Sequence, residues 1–260
     1  MTQPIVQVQK IKFFYKNSQN PIFHHLEFSI QPGQKIALMG VNGSGKSTLL
    51  KILNGILFPQ EGEYFFDQQK ITKQRLKNKE FHLEFRKRCA LLFQNFEFML
   101  FHFKVIDDLI FTLKILDYSK VEIQRRLEIW SERFQVQELL NENPLFLSSG
   151  QKKRVVLTSL FMLEADLLLL DEPFDNLDPI HTGVLVDVIK QSKSTILFTT
   201  HNFELSKEIC DHLWILHPKY NLLYQGSFDD FFSNNEVLYK SELFHFHSEK
   251  DSAHIHSWNS

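Results

Sequence analysis

Gly40-Val41-Asn42-Gly43-Ser44-Gly45-Lys46-Ser47-Thr48 is the stretch that decides the fold. Its spacing is that of the phosphate-binding loop, G-x-x-x-x-G-K-[ST]. The residues on either side agree with the letters. Lys35 to Met39, in front, is a short apolar run that reads as a buried strand. Leu49, Leu50, Ile52, Leu53 and Ile56, behind, recur at helical spacing and predict a helix that starts inside the loop and ends near Gly55. A strand, a glycine-bearing turn and a helix N-terminus form an anion cradle, because backbone N–H groups close on the phosphates at the positive end of the helix dipole. Lys46 is placed to reach the β- and γ-phosphates of a nucleoside triphosphate, and the Ser47 hydroxyl to ligate Mg²⁺. Kinases, GTPases and motor ATPases share such a loop, so the rest of the chain has to choose among them.

The chain has 260 residues, of which 43% are hydrophobic and 23% charged, enough to build one large α/β domain around an ample core. Its 26 phenylalanines read as core and contact filling. A net charge of −2 gives no whole-protein field for nucleic acid. Cys89 and Cys210 stand far apart in apolar contexts, as in a reducing compartment. No apolar stretch approaches the roughly 20 residues that a membrane-spanning helix needs. Met1-Thr2-Gln3-Pro4 lacks the charged and apolar regions of a signal peptide. Work at a membrane would therefore need another subunit to carry the span.

Strands are expected at Ile5–Phe14, around Phe28 and Ile30, at Glu63–Phe66, Cys89–Phe93, Leu167–Leu170, Thr195–Thr200, Leu213–Leu216 and Leu222–Tyr224. The basic run from Ile71 to Arg88 reads as a solvated helix face. Asn95 to Phe103 is aromatic without a clean period, which suits a docking surface or a loop folded onto its own domain. Val105–Leu116 reads as a helix, and a second opens at Ser119 with a capping-box pattern to Glu122 and runs to Phe134. Leu147 to Gln151 reads as a polar turn that feeds a helix, and Pro179–Ile189 as another helix. Strands alternating with helices predict a mostly parallel sheet, with antiparallel strands at the N-terminus and a helical insert.

Four polar groups stand just after apolar strands: Ser47, Gln94, Asp171-Glu172 and His201. In a parallel sheet such positions meet at one rim. Each suits phosphoryl transfer: Asp171 to hold Mg²⁺ through water, and Glu172 to align and deprotonate the attacking water. Gln94 would reach metal and water, and His201 the γ-phosphate.

Gly40–Thr48, Gln94, Leu147–Gln151, Leu170-Asp171-Glu172-Pro173, Asp175-Asn176-Leu177-Asp178 and His201 together resemble the ordered motifs of ABC-transporter ATPase subunits, over roughly Ile5 to Gly226. Tyr15 stands where the family has its adenine-stacking aromatic. Within the family the chain looks most like the energy-coupling factor ATPases of vitamin and of cobalt or nickel importers. The resemblance implies a P-loop NTPase domain over residues 1–240, with a helical subdomain at about 103–165. It implies ATP and Mg²⁺ as cofactors, the metal on Ser47, Gln94 and Asp171, and a catalytic set of Glu172, His201, Gln94 and Lys46. Nucleotide would be held by Tyr15, Gly40, Val41, Asn42, Gly43, Ser44, Gly45, Lys46, Ser47 and Thr48, and in trans by Ser148, Gly150 and Gln151 of a second ATPase. The implied partners are that twin, identical or merely similar, and a transmembrane subunit at the cytoplasmic face of the cell membrane.

Three positions depart from the family pattern: Ser149 replaces a glycine, Phe174 a small polar residue and Phe96 a proline. The last sixteen residues hold His245, His247, His254 and His256. That spacing suits Ni²⁺ or Co²⁺ and equally a polar tail or a purification sequence, so 241–260 reads as a disordered tail. Other ABC transporter ATPases (vitamin, lipid or drug) and non-transport ABC ATPases are the competing functions. The long heptad arms of DNA-repair types and the tandem domains of translation types are both missing from this sequence.

Overall fold

Alternating apolar residues after Pro4 build β1 (Val6–Phe13), which buries Val6, Val8, Ile11 and Phe13. The alternation slips by one because Lys10 takes a left-handed φ of 48° and the register shifts between Val8 and Ile11. The structure is a computed structural model and describes residues 3–16, 18, 20–210 and 212–244. Strand β2 (Phe23–Ile30) pairs antiparallel with β1. Strand β3 (Lys35–Met39) follows with the bounds its apolar run predicts, buried from Ile36 to Met39. It leads through the glycine loop into helix α1 (Lys46–Leu53). The Gly55 and Ile56 amides close the last turn of α1 on the carbonyls of Ile52 and Lys51, the predicted glycine stop. Strand β4 (Glu61–Phe66) lies antiparallel to β1, and β5 (Gln69–Lys70) completes a sheet of order β2-β1-β4-β5.

The chain divides into two compact units, one of residues to Lys73 together with those from Leu197, the other Gln74–Ile196. The second unit opens with α2 (Lys79–Arg88), where Phe85 alone is buried, so the basic run is a solvated face as expected. Strand β6 (Cys89–Leu92) and a short 3₁₀ turn at Phe96–Met99 lead to α3 (Val105–Ile115) and α4 (Lys120–Arg133). Ser119 caps α4 on the Glu122 amide. The reciprocal half of the expected capping box is replaced: the Glu122 carboxylate takes Arg125 and Arg126 instead.

Helix α5 (Ser149–Phe161) begins inside the stretch expected to be a turn. A full capping box between Ser148 and Gln151 is the reason, since it satisfies backbone donors at the first turn. Strand β7 (Leu167–Leu170) is apolar throughout and pairs parallel with β6, from Cys89 with Leu167 to Leu92 with Leu170. Helix α6 (Pro179–Gln191) starts at Pro179 with Asp178 as its cap.

The unit boundary falls inside β8 (Thr195–Thr199). The first unit then resumes with α7 (Phe203–Ile209), β9 (His212–His217) and β10 (Asn221–Gly226). Strand β9 runs parallel to β3 and antiparallel to β10. Two short helices unforeseen in the sequence, α8 (Phe228–Ser233) and α9 (Asn235–Ser241), follow. They bring Phe231 and Phe232 against Phe203, and Phe244 packs on Phe203 at a centroid separation of 5.1 Å. The histidines at 245, 247, 254 and 256 lie outside the described residues.

Candidate functional site

The candidate residues are distributed over both units. Tyr15, Gly40–Thr48 and His201 belong to the first; Gln94, Ser148, Gly150, Gln151, Asp171 and Glu172 belong to the second.

In the first unit the loop from Gly40 to Gly45 is bent by left-handed backbone. Gly40 has φ 152°, and a Cβ there would stand 2.2 Å from the Leu216 carbonyl oxygen. Only glycine lets β3 turn out of the sheet this close to β9. Gly45 caps α1 with φ 99°, and the first turn of α1 contains no acid. The Lys46 ammonium donates to the Gly40 carbonyl at 2.7 Å and approaches that of Val41 at 3.4 Å. The Ser44 hydroxyl is buried within the loop and has no hydrogen-bond partner among the described residues. Amides, hydroxyls and one ammonium gather at the start of a helix whose first turn holds no acid, an arrangement that suits an anion. Tyr15 is half-exposed, and its hydroxyl shares a 3.0 Å hydrogen bond with Thr48 Oγ1, so the ring is tethered to the helix that the loop opens. His201 is exposed after β8, just before α7.

In the second unit the two parallel strands bring one pair of motifs together. Leu92 pairs with Leu170, and the Asp171 amide extends the ladder to the Leu92 carbonyl at 3.1 Å. Gln94 and Glu172 each lie two residues past those partners, so both leave the sheet at its carboxyl end. Asp171 and Glu172 are buried, whereas Gln94 is exposed. Glu172 has φ 46° and Asn176 φ 67°, left-handed backbone on residues that carry side chains. Such strain persists only where the surroundings over-determine it.

Ser148, Gly150 and Gln151 open α5. A Cβ on Gly150 would meet the Asn176 carbonyl oxygen at 2.9 Å, so the first turn of α5 and the Asp175–Asp178 stretch are in close contact. Ser149, the departure from glycine, is exposed. Phe96, the second departure, is buried. Phe174, the third, is half-buried.

Lys153 is not among the residues that the sequence motifs single out. It is 1% exposed, and its ammonium donates to the Glu172 carbonyl at 2.8 Å and lies 4.6 Å from the centre of the Phe96 ring. Burial pulls this ammonium down to about 8, against the opposing pull of Asp175, Glu172 and Asp171. One signal was readable: Lys153 shares a helical face with the buried Val156, Leu157 and Leu160.

The family profile for ABC transporters matches residues 23–175. The chain belongs to the ABC transporter family. It is an ATP-binding subunit, and its chemistry is ATP hydrolysis coupled to transport. This ABC ATPase is 34% identical to the nickel import ATP-binding protein NikO of Rhodobacter capsulatus, across 82% of its own length and 85% of the relative's. It is 30% identical to the energy-coupling factor transporter ATP-binding protein EcfA1 of Mycoplasmopsis synoviae, across 90% and 87%. The solved structure of cbiO1 from Clostridium perfringens, part of the ABC transporter complex cbiONQ, superposes with a TM-score of 0.75 at 28% identity, covering 92% of this chain and 95% of that one. The two are alike in fold as well as in sequence. Among the described residues, no helix of this ABC ATPase is long and apolar enough to cross a membrane.

Proposed function

We propose that this chain is the ATPase of an energy-coupling factor importer and works as half of a head-to-tail, nucleotide-sandwiched pair. The observation that carries the reading is the loop at Gly40–Gly45, a left-handed glycine turn at the start of α1 whose Lys46 ammonium and buried Ser44 hydroxyl fit a polyphosphate. Its likeness to EcfA1 and cbiO1 supports the importer class.

Lys46 and the amides of Val41 to Thr48 hold the phosphates, and Tyr15 stacks on the adenine. Mg²⁺, when bound, neutralises phosphate charge, and the residues that would hold it are Ser47, Asp171 and Gln94. Glu172 takes the proton of the attacking water, and His201 stabilises the γ-phosphate as charge develops. Ser148, Gly150 and Gln151 face the nucleotide of the twin, which is a second copy or a similar ATPase. ATP joins two such cradles, and loss of its γ-phosphate changes the relative affinity for paired and separate states. Residues 1–240 form the nucleotide-binding domain, with the helical subdomain at about 103–165. The Gln94–Phe103 segment carries closure to a transmembrane subunit at the cytoplasmic face of the membrane.

For cargo, the histidines at 245, 247, 254 and 256 and the likeness to NikO favour Ni²⁺ or Co²⁺. Calorimetry with Ni²⁺ on the full chain and on one truncated before Ser241 tests this: binding lost with the tail supports it, and equal, negligible heat from both discards it. The catalytic assignment is tested by steady-state hydrolysis of MgATP. Wild type turns over, and Glu172→Gln is reduced by roughly 10²–10⁴-fold while still binding ATP. Wild-type rates from Glu172→Gln would refute the base.

A further inference from the structure

Among the described residues Lys153 is the lysine that is buried, with 1% of its surface exposed. An ammonium taken out of water costs free energy unless partners replace the water. Here the partners are specific. One is the carbonyl oxygen of Glu172 at 2.8 Å, which also receives the Asp175 amide at 3.4 Å. Another is the face of Phe96, 4.6 Å from the ammonium. Asp171, Glu172 and Asp175 supply the surrounding negative charge.

Glu172 is the residue whose backbone is left-handed, at φ 46°. The orientation of its carbonyl and the path of its side chain are coupled through that one dihedral pair. Whatever grips the carbonyl therefore helps to aim the carboxylate. The grip comes from α5, whose first turn is the Ser148–Gln151 capping box. The ring below the same ammonium belongs to the segment that follows Gln94.

We propose that Lys153 is a positioning residue for Glu172: its hydrogen bond to the Glu172 carbonyl holds the left-handed kink that aims the base, and its contact with Phe96 ties that kink to the Gln94–Phe103 segment. The proposal rests on Glu172 being the general base. Lys153 acts through the backbone of Glu172, whose carbonyl it holds.

Steady-state ATP hydrolysis by the full chain tests it. Lys153→Met keeps the length and packing of the side chain and removes the donor and the charge. The expected result is a kcat lowered by about 10–100-fold, as for a misplaced catalytic group, with KM for ATP within about twofold of wild type. Lys153→Arg, which keeps donor and charge, recovers most of the rate. In a Glu172→Gln background Lys153→Met brings no further loss, because the group it positions is already gone. Should Lys153→Met fail to fold, Lys153→Gln replaces it, since its shorter amide cannot reach the carbonyl, and the same pattern is expected. A kcat within about twofold of wild type for the Met or Gln variant overturns the proposal. So does an equal loss in the Met and Arg variants accompanied by a fall in Tm, which is the mark of a packing role. If Glu172→Gln itself turns over like wild type, the base assignment fails, whatever Lys153 does.

Discussion

Asp108 Oδ1 accepts three hydrogen bonds from one turn: the amides of Phe101 and His102 at 3.1 Å each, and His102 Nδ1 at 2.7 Å. The carboxylate side chain is 2% exposed, while the turn it gathers displays Phe101 at 60% and Phe103 at 84% exposure. A buried acid on α3 thus holds an exposed aromatic segment in shape. Asp108→Ala leaves two amides without their acceptor, at a cost of about 1–3 kcal/mol. The expected outcome is a lower Tm with near-normal ATP affinity, and weaker recovery of the membrane subunit in pull-down. Unchanged recovery would separate this turn from docking.

In the proposed site Lys46 supplies the charge of the phosphate cradle. Lys46→Ala removes a charge-assisted contact worth about 1.5–3 kcal/mol, so nucleotide affinity falls by roughly 10–100-fold and turnover with it. Fluorescent-nucleotide titration reads the affinity directly. Retained affinity would contradict the loop assignment.

Gly150 and Ser149 are adjacent but differ in what surrounds them. A methyl on Gly150 meets the Asn176 carbonyl oxygen at 2.9 Å, whereas Ser149 is exposed at the start of α5. Gly150→Ala therefore strains the Asn176 turn, by about 1–3 kcal/mol, and lowers both Tm and hydrolysis. Ser149→Gly leaves Tm within about 2 °C of wild type, because an exposed side chain near a helix start contributes little. Thermal melts and hydrolysis rates of the two variants check both.

Glu122 titrates with the fold. Hydrogen bonds from Arg125 and Arg126 hold its carboxyl down, from 4.5 to about 2. A depressed carboxylate stabilises the native state above its unfolded pKa, and that contribution is lost as pH falls from about 4.5 toward 2. Arg126 also caps the end of α5 at the carbonyls of Met162 (2.6 Å) and Leu163 (2.7 Å), so the loss is felt beyond α4. Glu122→Gln should melt roughly 1–4 °C below wild type at pH 7 and approach it near pH 2. A constant gap across that range would remove the ion pair as the cause.

The readability of the chain follows from which forces set each element. Strand β7 is apolar from end to end and β3 is apolar after Lys35, and their bounds, Lys35–Met39 and Leu167–Leu170, are those the sequence implies. Helix α5 starts at Ser149 because Ser148 and Gln151 satisfy backbone donors through side chains, and composition alone resembled a turn there. Helices α8 and α9, with 6 and 7 residues, are too short for a period to emerge; Ser227 and Asn234 cap them and a phenylalanine cluster holds them. The motif residues around Gly40, Gln94 and Glu172 were legible as letters. The hold of Lys153 on Glu172 was not, since a lysine in a basic run ordinarily points to water and only the fold reveals its burial.

In the proposed pair each subunit carries half of two nucleotide sites. Light scattering of Glu172→Gln at saturating MgATP tests it most directly, alone and with a similar ATPase supplied. The 30.8 kDa chain is expected to pair, as a species of twice that mass or as a one-to-one assembly, and the pairing to disappear with ADP. A single 30.8 kDa species under every one of these conditions would contradict it.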